Sequence, residues 1–116
     1  MSIRRTFDVD SRRLDNGYIT DASGRLDLIL RGLRSCPSCK RIDSRVSASG
    51  NGYHVSVSCE GDGSCYVCRM VFDDPYRLEL DLLRPVWTRE VLWSRKVYRK
   101  GGGVLVGEAE TWEMIK

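Results

Sequence analysis

Two cysteine pairs, Cys36-Pro37-Ser38-Cys39 and Cys65-Tyr66-Val67-Cys68, constrain this chain more than any other feature. A CxxC turn brings two thiolates within reach of one ion, and two such turns complete a tetrahedral sulfur site. The 25 residues between the pairs are enough for a hairpin that folds one pair onto the other. A chain of 116 residues suits one compact domain with a thin core. Structural Zn²⁺ contributes on the order of 10–16 kcal/mol of apparent binding free energy in small peptides, comparable to the net stability of such a domain. Five cysteines, an odd number in CxxC spacing, fit a reduced compartment better than a disulfide framework. The charged N-terminus (Arg4, Arg5, Asp8, Asp10) has no signal-peptide apolar region, and no run reaches the length of a membrane span. The expectation is an intracellular protein, cytoplasmic or nucleoid/nuclear, without a membrane partner.

Hydrophobic periodicity gives the elements between these landmarks. Residues 1–16 are charge-dense, with Ile3, Phe7, Val9 and Leu14 as apolar positions, and form either an edge strand or a flexible arm. Leu26, Ile29, Leu30 and Leu33 make one helical stripe over residues 23–34, with Ser23 as N-cap and Gly32 as a weak point. The rival is a strand using Leu26, Leu28 and Leu30. After Cys39 the period changes to two. Ile42, Val46 and Ala48, then Tyr53, Val55, Val57 and Cys59, alternate with polar residues around Ser49-Gly50-Asn51-Gly52, which predicts a β-hairpin. Met70-Val71-Phe72 supplies a third strand. Asp73-Asp74-Pro75 starts a helix bearing Leu78, Leu82 and Leu83, ended by Pro85, although a strand through Tyr76, Leu78, Leu80 and Leu82 fits as well. Beyond it, Val91, Trp93 and Val97, a Gly101-Gly102-Gly103 turn, and Val104, Val106 and Trp112 predict a longer hairpin over residues 87–115.

The cysteines admit four assignments. Cys36, Cys39, Cys65 and Cys68 as ligands close a tetrahedron with no open position, which makes the zinc structural. Cys59, at the end of a strand, is an alternate ligand, or else an ordinary buried thiol. Redox chemistry is the third assignment, since the CPxC sequence resembles the active site of glutaredoxin-like proteins, where it opens a long helix that lowers the first thiol's pKa. The serine- and glycine-rich stretch 42–52 is a poor helix, which argues against it. An iron–sulfur cluster is the fourth.

Cys36-Pro37-Ser38-Cys39, a hairpin, and Cys65-Tyr66-Val67-Cys68 together resemble a zinc ribbon over residues 33–72. Lys40 and Arg69 stand where ribbons commonly carry a small residue after each pair, so the resemblance is to the module and to no particular family. It implies Zn²⁺ as a structural cofactor and an association with transcription, translation and nucleic-acid machinery.

Catalytic signals are absent. His54, the only histidine, sits opposite Tyr53, Val55 and Val57 in the alternation and reads as a surface or hydrogen-bonded residue. Asp73-Asp74 is explained by capping, and the triple glycine lacks the Lys-Ser/Thr of a phosphate loop. The formal net charge is only +3, but six basic residues and one acid fall between Arg84 and Lys100, against six acids and two arginines between Glu60 and Leu83. Within the basic stretch Arg89, Arg95, Lys96, Arg99 and Lys100 interleave with Trp93 and Tyr98, a pattern suited to phosphate contacts and base stacking. Arg41 and Arg45 extend the patch.

The fold expected is α+β: a zinc-ribbon-type hairpin packed with a C-terminal antiparallel hairpin and one or two short helices, as a single domain over 1–116. The function expected is non-enzymatic binding of nucleic acid, regulatory in kind, with no small-molecule substrate. A protein-interaction adaptor built on the same arginine and tryptophan surface is the alternative, and a CPxC thiol oxidoreductase the second.

Overall fold

Alternating apolar and polar residues organise the chain around one antiparallel sheet with two unlike faces. The computed structural model describes residues 2–13 and 15–116; Leu14, and the side chains of Tyr98 and Lys100, lie outside the described residues. In chain order the elements are β1 (Ser2–Val9), β2 (Arg12–Arg13), β3 (Ile19–Thr20), α1 (Ala22–Ser35), β4 (Cys39–Val46), β5 (Tyr53–Glu60), α2 (Val67–Phe72) and α3 (Pro75–Leu82). A 3-10 turn (Val86–Thr88), β6 (Arg95–Lys100), β7 (Gly103–Glu108) and β8 (Glu113–Met114) complete it. The main sheet has the order β1-β5-β4-β8, while β2 pairs with β3 and β6 with β7 as separate two-stranded ribbons. The class is α+β, as the periodicity predicts.

Strand register sorts the side chains. Phe7, Val55 and Ser44 lie in one row, and Arg5, Val57 and Ile42 in the next. This face carries the core of Phe7, Val9, Ile42, Val55 and Val57, closed by Ile29 and Leu33 of α1. The opposite face is polar: Asp8, His54 and Arg45 form one row across three strands, and Thr6, Ser56 and Asp43 the next.

The helical stripe of α1 is as expected, but its cap is Asp21, not Ser23. Asp21 Oδ1 accepts a 2.6 Å hydrogen bond from the Gly24 N–H. Gly32 has a packing reason, since a Cβ there would run into the Phe72 ring. Phe72 in turn meets Phe7 edge-on, with ring centroids 6.4 Å apart. Residues 70–72 are helical rather than a strand: α2 buries Arg69 and docks Phe72 while Met70 and Val71 face outward. The predicted cap at Asp74-Pro75 is present, with Asp74 Oδ1 accepting from the Tyr76 N–H at 2.8 Å. The C-terminal hairpin is shorter than predicted. Only β6 and β7 pair, Val91 and Trp93 precede the strand, and Trp112 lies beyond it under the Arg45 guanidinium, 4.3 Å from ring centroid to Cζ.

Arg69 is fully buried, and three carboxylates from different segments surround it. Its Nε and Nη2 donate to Asp73 (2.9 and 2.7 Å), and its Nη1 to Asp81 (2.8 Å) and Glu90 (3.0 Å). Glu90 also accepts from the Thr6 N–H at 2.7 Å, and Asp73 from the Asp8 N–H at 3.0 Å. The outward N–H groups of edge strand β1 are thus capped by side chains, which blocks pairing with another strand.

The cysteine arrangement corrects the zinc-ribbon expectation. The hairpin is real, but its flanks are not metal-binding knuckles. Cys36 is the C-cap of α1, Cys65 is exposed in a loop, and Cys68 lies inside α2. A β-bulge between Cys39 and Arg41 turns both Cys39 and Ile42 to the core face, so Cys39 is buried as an apolar side chain. Among the described residues no three of His, Cys, Asp or Glu come together in a group able to hold a metal ion, so the Cys36, Cys39, Cys65, Cys68 module, with Cys59 as alternate, is not formed.

Two substitutions test this architecture. Arg69→Ala leaves three buried carboxylates facing one another, and should lower unfolding free energy by about 3–5 kcal/mol in urea denaturation. A loss below about 1 kcal/mol would show that water or rearrangement replaces the guanidinium. Gly32→Ala, which improves helix propensity by about 1 kcal/mol, should nonetheless destabilise by about 1–3 kcal/mol because the Phe72 ring must move.

Candidate functional site

The polar face of the sheet is roofed at one end by the segment after Glu90, and the space left there is an open cleft of about 560 Å³. That volume lies in the range of small-ligand sites. Asp8 and Asp10 enter it from the end of β1 and His54 from β5. Ser47 and Ser49 of the β4–β5 turn, Tyr76, Arg77 and Arg84 from α3 and its end, and Trp93, Arg95 and Lys96 of the roof complete the lining.

Backbone strain and ionic packing place the roof. Glu90 adopts φ 67°, a left-handed conformation uncommon outside glycine. It is held there by the Arg69 contact, by its own N–H donating to Asp81 at 3.1 Å, and by Thr6. Arg77 clips the next residues down: Nη2 donates to the Val91 carbonyl at 3.0 Å while Nη1 reaches Asp73 at 2.8 Å. Arg45 does the same from the sheet, its Nη2 donating to the Leu92 carbonyl at 3.4 Å.

His54 is only 5% exposed and is hydrogen-bonded, one of the two environments its place in the strand alternation allows. The polar face does carry it, but the roof covers that face. Arg45 Nε donates to His54 Nδ1 at 3.0 Å. A guanidinium only donates, so Nδ1 is the acceptor and the ring proton sits on Nε2. Burial, then the positive charges of Arg45 and Arg77, lower its pKa from 6.5 to about 4. The neighbouring Asp8 carboxyl is pushed up to about 6, by burial first and then by Asp10, with Asp73 and Asp74 adding and Arg77 opposing. His54 Nε2 and Asp8 Oδ1 are 3.9 Å apart. The distance suggests an ion pair, but His54 is neutral whenever Asp8 is charged, so the two are not an ion pair.

The residues expected to bind nucleic acid divide into three groups. Trp93 (73% exposed), Arg95 and Lys96 line the cleft. Arg99 continues along β6, where Tyr98 and Lys100 belong to the strand but their side chains lie outside the described residues. Arg89 is elsewhere and committed: it donates to the Arg84 and Leu82 carbonyls at 3.0 and 3.1 Å and to the Tyr66 hydroxyl at 3.1 Å. Asp8, Asp10 and His54 are the site residues that sequence reading missed. Their only signal was polar character at strand positions, which a solvated face also explains.

Three of the thiols have raised pKa values. Burial raises Cys39 and Cys68, and burial with neighbouring thiols pushes Cys59 up to about 11. Cys36 sits at the C-terminal end of α1, whereas a glutaredoxin-like motif opens a helix. No helix among the described residues is long and apolar enough to cross a membrane. No family model, curated protein or solved structure matches the chain.

The cleft floor gives a pH test. The lowered His54 pKa means the unfolded chain binds the extra proton, so stability from this group is lost as pH falls from 6.5 to about 4. The raised Asp8 pKa means the folded chain binds the extra proton, so stability is lost as pH rises from 3.8 to about 6. The two slopes oppose between pH 4 and 6. Asp8→Asn removes one of them, and its urea midpoint should climb from pH 4 to 6.5 more steeply than that of the parent protein. Parallel pH profiles would contradict the raised Asp8 pKa.

Proposed function

We propose that this protein binds single-stranded nucleic acid along the β6–β7 ribbon and into the cleft. The observation that carries this reading is the continuity of one basic, aromatic segment. Trp93, Arg95 and Lys96 form a cleft wall and run directly into the exposed strand bearing Arg99. Arg95 is 67% exposed on its side chain and, among the described residues, tied only to Glu108 at 2.7 Å, an exposed pair that a phosphate displaces at small cost. Trp93 offers a free indole face for stacking, worth about 1–3 kcal/mol per base. A cleft of this size accepts an unpaired nucleotide and not a duplex. The five free cysteines suit a reducing, intracellular setting.

A second reading has its own observation. Leu83, Val86 and Trp87 form a strongly exposed apolar corner away from the cleft, with the composition of a protein-interface anchor. It predicts a protein partner whose capture is abolished by Trp87→Ala and unaffected by nuclease.

Fluorescence anisotropy with a labelled single-stranded oligonucleotide tests the main reading. Affinity should fall linearly on a logarithmic salt scale, and Lys96→Ala with Arg99→Ala should reduce the slope by about 1.4, or about 0.7 per lost phosphate contact. Trp93→Ala should weaken binding about 5- to 100-fold. Absence of binding at low salt would overturn the reading.

A further inference from the structure

We infer that the floor of the cleft, formed by His54 and Asp8, is a subsite for the ribose hydroxyls of a nucleotide, so that the protein distinguishes ribonucleotides from deoxyribonucleotides. This rests on the nucleic-acid reading above and names what its innermost contact recognises.

The donor is fixed by the fold. Arg45 Nε occupies His54 Nδ1, so Nε2 carries the proton. His54 is 5% exposed as a whole residue and 7% on its side chain, and it lines the cleft. Among the described residues Nε2 has no hydrogen-bond acceptor; Asp8 Oδ1, at 3.9 Å, is beyond reach. Beside it stands an acceptor, since Asp8 is a carboxylate at neutral pH. The 3.9 Å between them is a gap that one hydroxyl oxygen spans, accepting from Nε2–H and donating to Oδ1 at about 2.8 Å from each. A ribose hydroxyl is both donor and acceptor, whereas a deoxyribose carbon is neither.

Charge placement orients the ligand. Asp8 and Asp10 at the floor disfavour phosphate there, with Arg45 and Arg77 already bonded to protein groups beside them, while the Arg84 and Arg95 side chains, 50% and 67% exposed, stand further out. The complementary molecule has a neutral hydroxyl-bearing end and an anionic end. A ribonucleotide has this form, either within an RNA strand or free as a nucleoside monophosphate.

The single histidine makes the test direct, because ¹⁵N-histidine labelling yields one ring to observe. We expect the Nε2-protonated tautomer, and a shift of its resonance on adding a single-stranded RNA oligonucleotide but not the DNA of the same sequence. RNA should bind about tenfold tighter than DNA. Asp8→Ala should erase that ratio while strengthening DNA binding slightly, since a negative charge has left the cleft; a merely structural role would weaken both alike. Equal, salt-sensitive binding of RNA and DNA with no His54 shift would overturn the ribose subsite and leave the nucleic-acid reading standing. Absence of binding to either strand would sink the reading itself. In that case a His54 shift with adenosine 5′-monophosphate, absent with its 2′,3′-dideoxy analogue, would support the subsite as one for a free nucleotide, and no shift would overturn it. The wild-type spectra decide the matter even if Asp8→Ala fails to fold.

Discussion

The cleft depends on one buried cation. Arg69 reaches Asp73 at the end of α2, Asp81 in α3 and Glu90 at the start of the roof, and so ties together three segments that share no strand pairing. Such a cluster is weak evidence for stability, because taking the ions from water costs several kcal/mol each. What it supplies is position. With three directed acceptors around a planar donor, only one arrangement of the segments satisfies every group, and no buried side-chain nitrogen or oxygen among the described residues lacks a partner. Glu90 can then hold a left-handed backbone, and the chain emerges over the polar face of the sheet instead of away from it.

Secondary structure does the rest of the work by parity. In a sheet, odd and even residues take opposite faces, so the same three strands that bury Phe7, Val55 and Ile42 set Asp8, His54 and Arg45 side by side on the reverse. Arg45 then serves twice. One nitrogen fixes the tautomer of His54, another holds the roof at Leu92, and Trp112 supports the guanidinium from below. A side chain that orients both His54 and its cover links the rigidity of the cleft to the packing of the C-terminal segment.

Local patterns were legible in the sequence and long-range ones were not. The 42–59 hairpin, the α1 stripe and the Asp74-Pro75 start depend on residues within a few positions of one another, and each appears in the structure. The CxxC spacing was equally local and misled, because a single bulged residue rotates Cys39 into the core and a helix claims Cys68. Residues 70–72 carry a strand-like composition, but the demand to bury Arg69 against Asp73 four residues on favours a helical turn. His54 was assigned the correct face, with its environment left open between solvent and a hydrogen bond. What covers that face is a segment nearly forty residues away, and no periodicity in β5 encodes it. Likewise, Asp8 and Asp10 gain meaning only from the register that sets β1 beside β5.

The ribbon beyond the roof is asymmetric, and the asymmetry bears on its use. Its two strands pair only with each other, an arrangement marginal in water by itself. β6 carries Arg95, Lys96, Arg99 and Lys100, whereas β7 is apolar apart from Glu108 at its end. A second copy of the ribbon laid against β6 would set arginine and lysine against arginine and lysine, so that strand repels its own kind and attracts an anion. β6 is also the strand that leads directly from the cleft wall. In the binding mode proposed above, a polyanion following β6 would reach Trp93 and the cleft mouth, with Asp8 and Asp10 beyond it.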